Sequence, residues 1–525
     1  MASHIYTGSI IGLDAYLIDI ETDISQGLNA FNMVGLPDAA VKEAKERVRS
    51  SIKHLGISFP RTRVTQNLAP ADVKKSGTHY DLPITLGILT AHGILKEAQV
   101  ENRLYAGELS LDGKIRGIHG ALSLAILAKE RGFNELVIPS ANLKEASLVR
   151  DIQIIGVEHL SELLEHIKGI KRISPLERHP EDLPILKQEP LLDFKDIRGQ
   201  TQAKRALEIA AAGGHNLLMQ GPPGSGKTLL AKSFASILPS MNQAEILEVT
   251  RIHSIAGSDK EYHVHNERPF RSPHHSASAV ALIGGGSIPK PGEISLAHRG
   301  VLFLDEILEF PRHVLETLRQ PLESGTVTIS RATGTCTFPA KCMLIAAMNP
   351  CPCGYFTDNE KACTCSPMQL LSYRRKLSGP LLDRLDLCIE VPKVTPSELM
   401  THEVAETSEV VKKRIERARK IQGERFKKIG CFTNAELTHQ QTKSSIRLSE
   451  SMTPLVKQVL NTLKLSARSY FRLLKVSRTI ADLEAAPLVE PRHLLEGLQY
   501  RFQSVLDGEN AVLDSPLLAY QTKGS

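Results

Sequence analysis

At 525 residues the chain exceeds what a single hydrophobic core supports, since cores stop growing at roughly 250–300 residues, and several domains are expected. Hydrophobic residues make up 42% and charged residues 23%, an ordinary globular balance, and no apolar run of about 18 residues offers a membrane span. The net charge of +6 and a pI near 8.7 permit a polyanionic partner without requiring one.

The first stretch, MASHIYTGSIIGLDAYLIDIE, has no basic leader, and Asp14, Asp19 and Glu21 interrupt any apolar export core. No export signal is therefore expected. Eight cysteines in a chain of this length are too few for a disulfide scaffold and read as reduced thiols or metal ligands, which fits a cytoplasmic location. Residues 1–168 alternate strand-like runs (AYLIDIE, NELVIPS, IQIIGV) with helical patterns (AAVKEAKERVRSSIKHL, ALSLAILAKERG), the pattern of an α/β domain. Residues 169–190 hold four prolines among many charges and read as a linker. A second α/β domain spans 191–392, where HNLLMQ, GVLFLDE and KCMLIAAMN are apolar runs of buried parallel-strand length. Residues 393–510 are helical in pattern throughout and form a lid, followed by a tail over 511–525. Within the lid, Lys412 to Lys428 carries nine Lys/Arg against two Asp/Glu, a net of +7, which most simply is a solvated helix face.

The chemistry centres on GPPGSGKT: Gly221, Pro222, Pro223, Gly224, Ser225, Gly226, Lys227 and Thr228. In the spacing G-x-x-x-x-G-K-T the backbone N–H groups point at phosphate oxygens, Lys227 reaches the β- and γ-phosphates and the Thr228 hydroxyl ligates Mg²⁺. Ile197 and Gly199, ahead of the preceding helix, are assigned to the same ATP site. Downstream, VLFLDE is an apolar strand ending in two carboxylates; Asp305 would hold the Mg²⁺ and Glu306 would act as general base on the attacking water. The run KCMLIAAMN ends in Asn349, placed to orient that water. In GPLLDRLD, Arg384 would reach a γ-phosphate held by the next subunit of a ring and stabilise transition-state charge.

These elements, in this order, resemble the AAA+ ATPases over about residues 191 to 508, a P-loop fold with a parallel sheet and a helical lid. Within that class the chain looks like the branch containing the magnesium chelatase ATPase subunit. The closer resemblance is to the YifB/ComM family, carried by RPFRSPHHSASAVALIGGGSIPKPGEISLAHRGVLFLDE (Arg268 to Glu306), NPCPCG (Asn349 to Gly354) and SARSYFRLLKVSRTIADLE (Ser466 to Glu484). By similarity Arg468 corresponds to the second-sensor arginine that contacts γ-phosphate, with Arg478 the alternative. The resemblance implies an ATP-driven hexameric DNA translocase, with ComM members promoting branch migration during natural transformation. The competing reading is a magnesium chelatase or MoxR-like chaperone that remodels a protein or metal-insertion partner. DNA-contact candidates are Arg268, Arg271, His274 and His275 beside a GGG run, and Arg331 in a hairpin-like stretch; packing between subunits is the other reading of both loops.

The first domain resembles the Lon-protease-like α/β fold, through GELSLDGKIRGIHGALSLAILAKERGFNELVIPSAN (Gly107 to Asn142). Its Ser–Lys dyad is missing, because Asp81 stands where the nucleophile would be and Leu122 where the lysine would be, and a dyad needs both groups. Finally, Cys351, Cys353, Cys363 and Cys365 form C-x-C-x₉-C-x-C directly after Asn349. Four soft ligands suit a structural Zn²⁺, against the simpler reading of buried reduced thiols.

Overall fold

The computed structural model describes residues 2–176, 192–257, 262–286, 289–331, 334–358, 360–395, 405–449, 452–463 and 466–501. The expected linker falls mostly outside these residues and the tail over 511–525 wholly outside them.

The first domain is built from β1 (Ser3–Ile11), β2 (Asp14–Ser25), β3 (Ala30–Val34), β4 (Arg63–Ala69), β5 (Arg103–Tyr105), a small hairpin of β6 (Glu108–Leu109) and β7 (Ile115–Arg116), then β8 (Glu135–Pro139) and β9 (Gln153–Val157). Seven of these form a mixed sheet in the order β3-β4-β2-β1-β5-β8-β9. Alternation along β2 feeds both faces, with Ile18 and Ile20 entering one core and Ala15 and Leu17 packing on the other. The helix Asp81–Ala91 is apolar all round and lies buried from Asp81 to Thr90, as a helix without a polar face must.

The second domain carries β10 (Leu217–Gln220), β11 (Phe270–Arg271), a short ribbon of β12 (Gly284–Gly285) and β13 (Lys290–Pro291), β14 (Val301–Leu304), a hairpin of β15 (Thr326–Arg331) and β16 (Gly334–Pro339), then β17 (Met343–Met348) and β18 (Leu387–Glu390). The order β11-β14-β17-β10-β18 is parallel throughout. The strands β10, β14 and β17 are buried at every residue, because both faces are covered: Leu217, Met219, Ile345 and Ala347 enter one core and Leu218, Leu344 and Ala346 the other. Sequence patterning found these three strands and missed the edge strands: β11 is two residues long, and β18 is no unbroken apolar run, since it ends on the exposed Glu390.

The lid supplies the helices Ser408–Phe426, Met452–Leu463, Ala467–Leu483 and Pro491–Gln499. In the basic helix, Val411, Ile415, Ala418, Gln422 and Phe426 form the buried stripe, while Lys413, Arg417 and Lys420 are exposed. Arg414 is recruited inward to Glu208 of the core at 2.7 Å and Arg425 to Asp482 of another lid helix, so part of the run holds the lid to the core and part holds the lid helices to each other. The helix Gln243–Ala256 rests on the first domain: the Arg251 guanidinium donates to the Leu13 carbonyl at 2.7 Å and to Asp14 at 2.9 Å, and the Gly120 N–H donates to Ser254 Oγ at 3.0 Å. Among the described residues, no helix is long and apolar enough to cross a membrane.

Candidate active site

Parallel strands place all their carboxyl ends on one edge, and that edge gathers the nucleotide residues. Gly221 directly follows β10, and a Cβ there would lie 2.1 Å from the Val391 carbonyl oxygen. Only glycine lets the loop leave the strand beside its neighbour. The loop turns into the helix Lys227–Phe234, whose amino end carries unpaired N–H groups suited to phosphate oxygens. The Lys227 ammonium lies inside the loop, donating to the Gly221 and Pro222 carbonyls at 2.7 and 2.9 Å and to Asn349 Oδ1 at 3.3 Å. Burial pushes its pKa below the ordinary lysine value, opposed by Asp305 and Glu306. Ile197 packs in the same core cluster as Leu230 and Val391, which sets its segment beside the loop, and Gly199 follows it two residues on.

Asp305 follows β14, and the Thr228 hydroxyl donates to its Oδ2 at 2.7 Å. A hydroxyl and a carboxylate side by side are an oxygen donor set that suits Mg²⁺. Glu306, the next residue, is exposed and held in the left-handed region at φ 48°, a conformation uncommon outside glycine and often found at functional sites. Its N–H donates to Asp305 Oδ1 at 3.0 Å, which leaves Oδ2 of Asp305 for the Thr228 hydroxyl. Asn349 follows β17, and its contact with Lys227 brings the third strand end to the same centre.

Arg384 and Arg468 lie elsewhere. Both line a cavity of about 600 Å³ together with Asn216, Gly300, Met343 and Asp386, residues at or just before the starts of β10, β14, β17 and β18. This is the amino edge of the sheet, opposite the phosphate loop. Arg384 donates to the Arg319 carbonyl at 2.8 Å and the Pro380 carbonyl at 2.5 Å, and pairs with Glu323. Arg468 reaches the other oxygen of the same Glu323 carboxylate at 3.0 Å. Sequence reasoning had no signal for Glu323, one acid inside LRQPLESG with no motif around it. Arg478, the alternative to Arg468, is 2% exposed, bonds Asp482 at 3.0 Å and caps the Ala486 and Pro487 carbonyls; it holds the lid together.

The four motif cysteines converge, their sulfurs all within 4.8 Å of one another. Cys351 lies 3.3 Å from Cys353 and 3.7 Å from Cys363, and Cys353 and Cys363 are 3.6 Å apart. A Zn–S bond of about 2.3 Å in a tetrahedron separates sulfurs by about 3.8 Å, so the donor set fits that ion. Backbone N–H groups of Tyr355 and Thr364 pull the Cys353 thiol down to about 5, while burial raises Cys351. The module abuts the nucleotide site: a Cβ at Gly354, where φ is +84°, would come within 2.6 Å of the Pro223 ring.

Of the DNA-contact candidates, Arg268 is committed to the interior. Its side chain is 7% exposed and pairs with Glu245 at 2.9 Å, with further bonds to the Pro239 and Arg299 carbonyls at 2.7 and 2.6 Å. A guanidinium so placed serves the fold, because leaving Glu245 for a phosphate would strand a buried carboxylate. Arg271 pairs with Glu293 at 2.7 Å. His274 is exposed and packs against His275 with the rings tilted by 35° and their centroids 4.0 Å apart. Arg331 is exposed in the last described pair of the β15–β16 hairpin.

In the first domain Asp81 is buried and accepts from Arg47 at 2.6 and 3.0 Å and from the Leu109 N–H at 3.1 Å. Burial pushes its carboxyl above the ordinary range, against the pull of Arg47. Leu122 is a fully buried core residue. Both positions therefore serve packing, and neither presents a nucleophile or a base.

Comparison with known proteins identifies the family. The model for "Magnesium chelatase, subunit ChlI" matches residues 193–399, that for "Subunit ChlI of Mg-chelatase" residues 20–142, and that for "Magnesium chelatase, subunit ChlI C-terminal" residues 405–501. The chain is 45% identical over 500 residues to "Competence protein ComM" of Haemophilus influenzae, covering 95% of this chain and 97% of that protein. It is 42% identical over 500 residues to "Uncharacterized protein YifB" of Escherichia coli, covering 95% and 97%. It is 29% identical over 166 residues to "Magnesium-chelatase 67 kDa subunit" of Chlorobaculum tepidum, covering 30% and 24%. With its parallel five-stranded sheet, strand-end acids and near-full-length identity to two of these proteins, the chain belongs to the YifB/ComM family of magnesium-chelatase-like AAA+ ATPases.

Proposed function

We propose that the chain is an ATP-hydrolysing motor subunit that assembles into a ring, expected to be a hexamer, and moves DNA strands, promoting branch migration during recombination and integration of donor DNA in natural transformation. The observation that carries the ring is the division of the site between two edges of one sheet. Lys227, Thr228, Asp305 and Asn349 share the carboxyl edge, whereas Arg384 and Arg468 share Glu323 at the amino edge. A chain with both halves facing opposite ways completes a site by head-to-tail contact with a copy of itself.

In this reading the Gly221–Thr228 loop, with Ile197 and Gly199, binds ATP. Thr228 and Asp305 hold Mg²⁺, Glu306 takes the proton of the attacking water, and Asn349 orients that water. Arg384 and Arg468 of the neighbouring copy stabilise charge on the transferring phosphoryl group. Zinc on the four cysteines would hold the module that leans on Pro223. Support for DNA as the polymer comes from the near-full-length likeness to a protein named for competence, and from exposed His274 and Arg331, whose types favour backbone contacts without sequence readout. The partial likeness to a magnesium chelatase subunit favours the alternative, remodelling of a protein partner with the same engine.

The test is ATP turnover and strand separation on a branched DNA substrate, comparing wild type with Lys227→Ala. Turnover raised by DNA and unwinding lost in the variant is the expected result. Turnover indifferent to single-stranded and branched DNA favours the chaperone reading, and unwinding that survives Lys227→Ala removes the motor altogether.

A further inference from the structure

The helix Arg319–Ser324 touches both amino-edge arginines. Arg319 and Glu323 are four apart and so share one helix face. From that face the Arg319 carbonyl accepts the Arg384 Nε–H at 2.8 Å and the Glu323 carboxylate accepts from Nη2. A guanidinium is planar and donates in fixed directions, so these bonds, with the one to the Pro380 carbonyl, set both its plane and its reach. The other Glu323 oxygen takes Arg468 at 3.0 Å. One carboxylate therefore holds two cations that come from different elements, one preceding β18 and one opening a lid helix.

Two guanidinium groups in one cavity repel each other, and Glu323 is the counter-charge they share. The side chains differ in exposure: Arg384 is 10% exposed, Arg468 32% and Glu323 53%. A half-exposed carboxylate released from its partners is rehydrated at small cost. The arginines can thus leave it for a more highly charged anion, while Arg384 keeps its two carbonyl anchors and its orientation.

We propose that Glu323 is a positioning residue of the ATPase: it holds Arg384 and Arg468 together on one carboxylate and gives them up as a pair to a triphosphate bound by the neighbouring subunit. The inference rests on the reading of Arg384 and Arg468 as groups that act across a subunit interface. Glu323 competes with the nucleotide for both arginines and also keeps them pre-aligned. Removing its charge should strengthen nucleotide engagement and weaken the chemical step, a pairing of effects that a purely structural residue would not produce.

The experiment is steady-state ATP turnover of the full chain for wild type, Arg384→Ala and Glu323→Gln, with thermal melting alongside. In Glu323→Gln, KM for ATP should fall about twofold to fivefold, the scale of a half-exposed ion pair, with kcat lowered and Tm little changed. A KM that is unchanged or raised overturns the proposal, as does a raised kcat. Wild-type turnover in Arg384→Ala would remove the interface reading, and this inference with it. Loss of turnover in Arg384→Ala beside an unchanged KM in Glu323→Gln removes this inference alone. If Glu323→Gln does not fold, Glu323→Asp supplies the readout: it keeps the charge on a shorter arm that cannot span both arginines, so its KM should also fall, by less, and an unchanged KM there is equally adverse.

Discussion

If Lys227 and Arg384 belong to opposite halves of an interface site, two inactive variants should restore each other when mixed. Lys227→Ala removes the ammonium that lies 2.7 Å from the Gly221 carbonyl inside the loop, and Arg384→Ala removes a side chain on the far edge of the sheet. Alone, each should be nearly inactive, since an arginine of this kind is worth about 10³–10⁵ in kcat. In a mixed ring with head-to-tail contacts, an interface is complete when the nucleotide-binding side comes from an Arg384→Ala subunit and the arginine side from a Lys227→Ala subunit. At equal amounts each condition is met half the time, so about one quarter of interfaces are intact. Turnover should follow x(1−x) in the mole fraction x, rising from near zero at both ends to about one quarter of wild type at the midpoint. The assay is steady-state phosphate release across a titration of one variant against the other at constant total protein. A flat line, with the equal mixture no more active than the mean of the pure variants, would refute the interface reading and put both groups in one subunit's site.

Three other outcomes are expected. Glu145, 1% exposed, is raised by burial from 4.5 to about 7; the native state then binds a proton that the unfolded chain has lost, so stability falls as pH rises from about 4.5 to about 7, by up to about 3 kcal/mol. Glu145→Gln should remove that slope, so that its Tm advantage over wild type grows between pH 5 and pH 8; parallel Tm curves would contradict the assignment. Arg268→Ala strands the buried Glu245 carboxylate and should cost about 3–5 kcal/mol, read as a lower Tm with unchanged DNA affinity in the folded protein, whereas weaker DNA binding at unchanged Tm would return Arg268 to the DNA surface. Replacing Cys353 and Cys365 by serine should lower zinc from about one ion per chain to near zero by metal analysis, and an unaltered metal content would leave the cluster as reduced thiols.

What the sequence determined by itself is what contiguous residues determine. GPPGSGKT specifies its loop because the glycines that turn it and the lysine and threonine that serve it lie within eight positions, and the runs leading to Gln220, Asp305 and Asn349 are buried strands because an unbroken apolar segment of that length needs cover on both faces. Those same runs marked Asp305 for Mg²⁺ and Asn349 for the attacking water; in the structure the Thr228 hydroxyl donates to Asp305 and the Lys227 ammonium to Asn349. Tertiary structure alone decided the rest. Arg268 looked like a free cation in a glycine-rich insert, yet Glu245, 23 positions away, takes it inside. Arg468 and Arg384 were two separate motifs until Glu323, 145 positions before Arg468, joined them. A charged side chain has the same chemistry wherever it falls in the sequence, but whether it meets water, a phosphate or a buried carboxylate depends on which distant segment packs against it, and that is set by the fold as a whole.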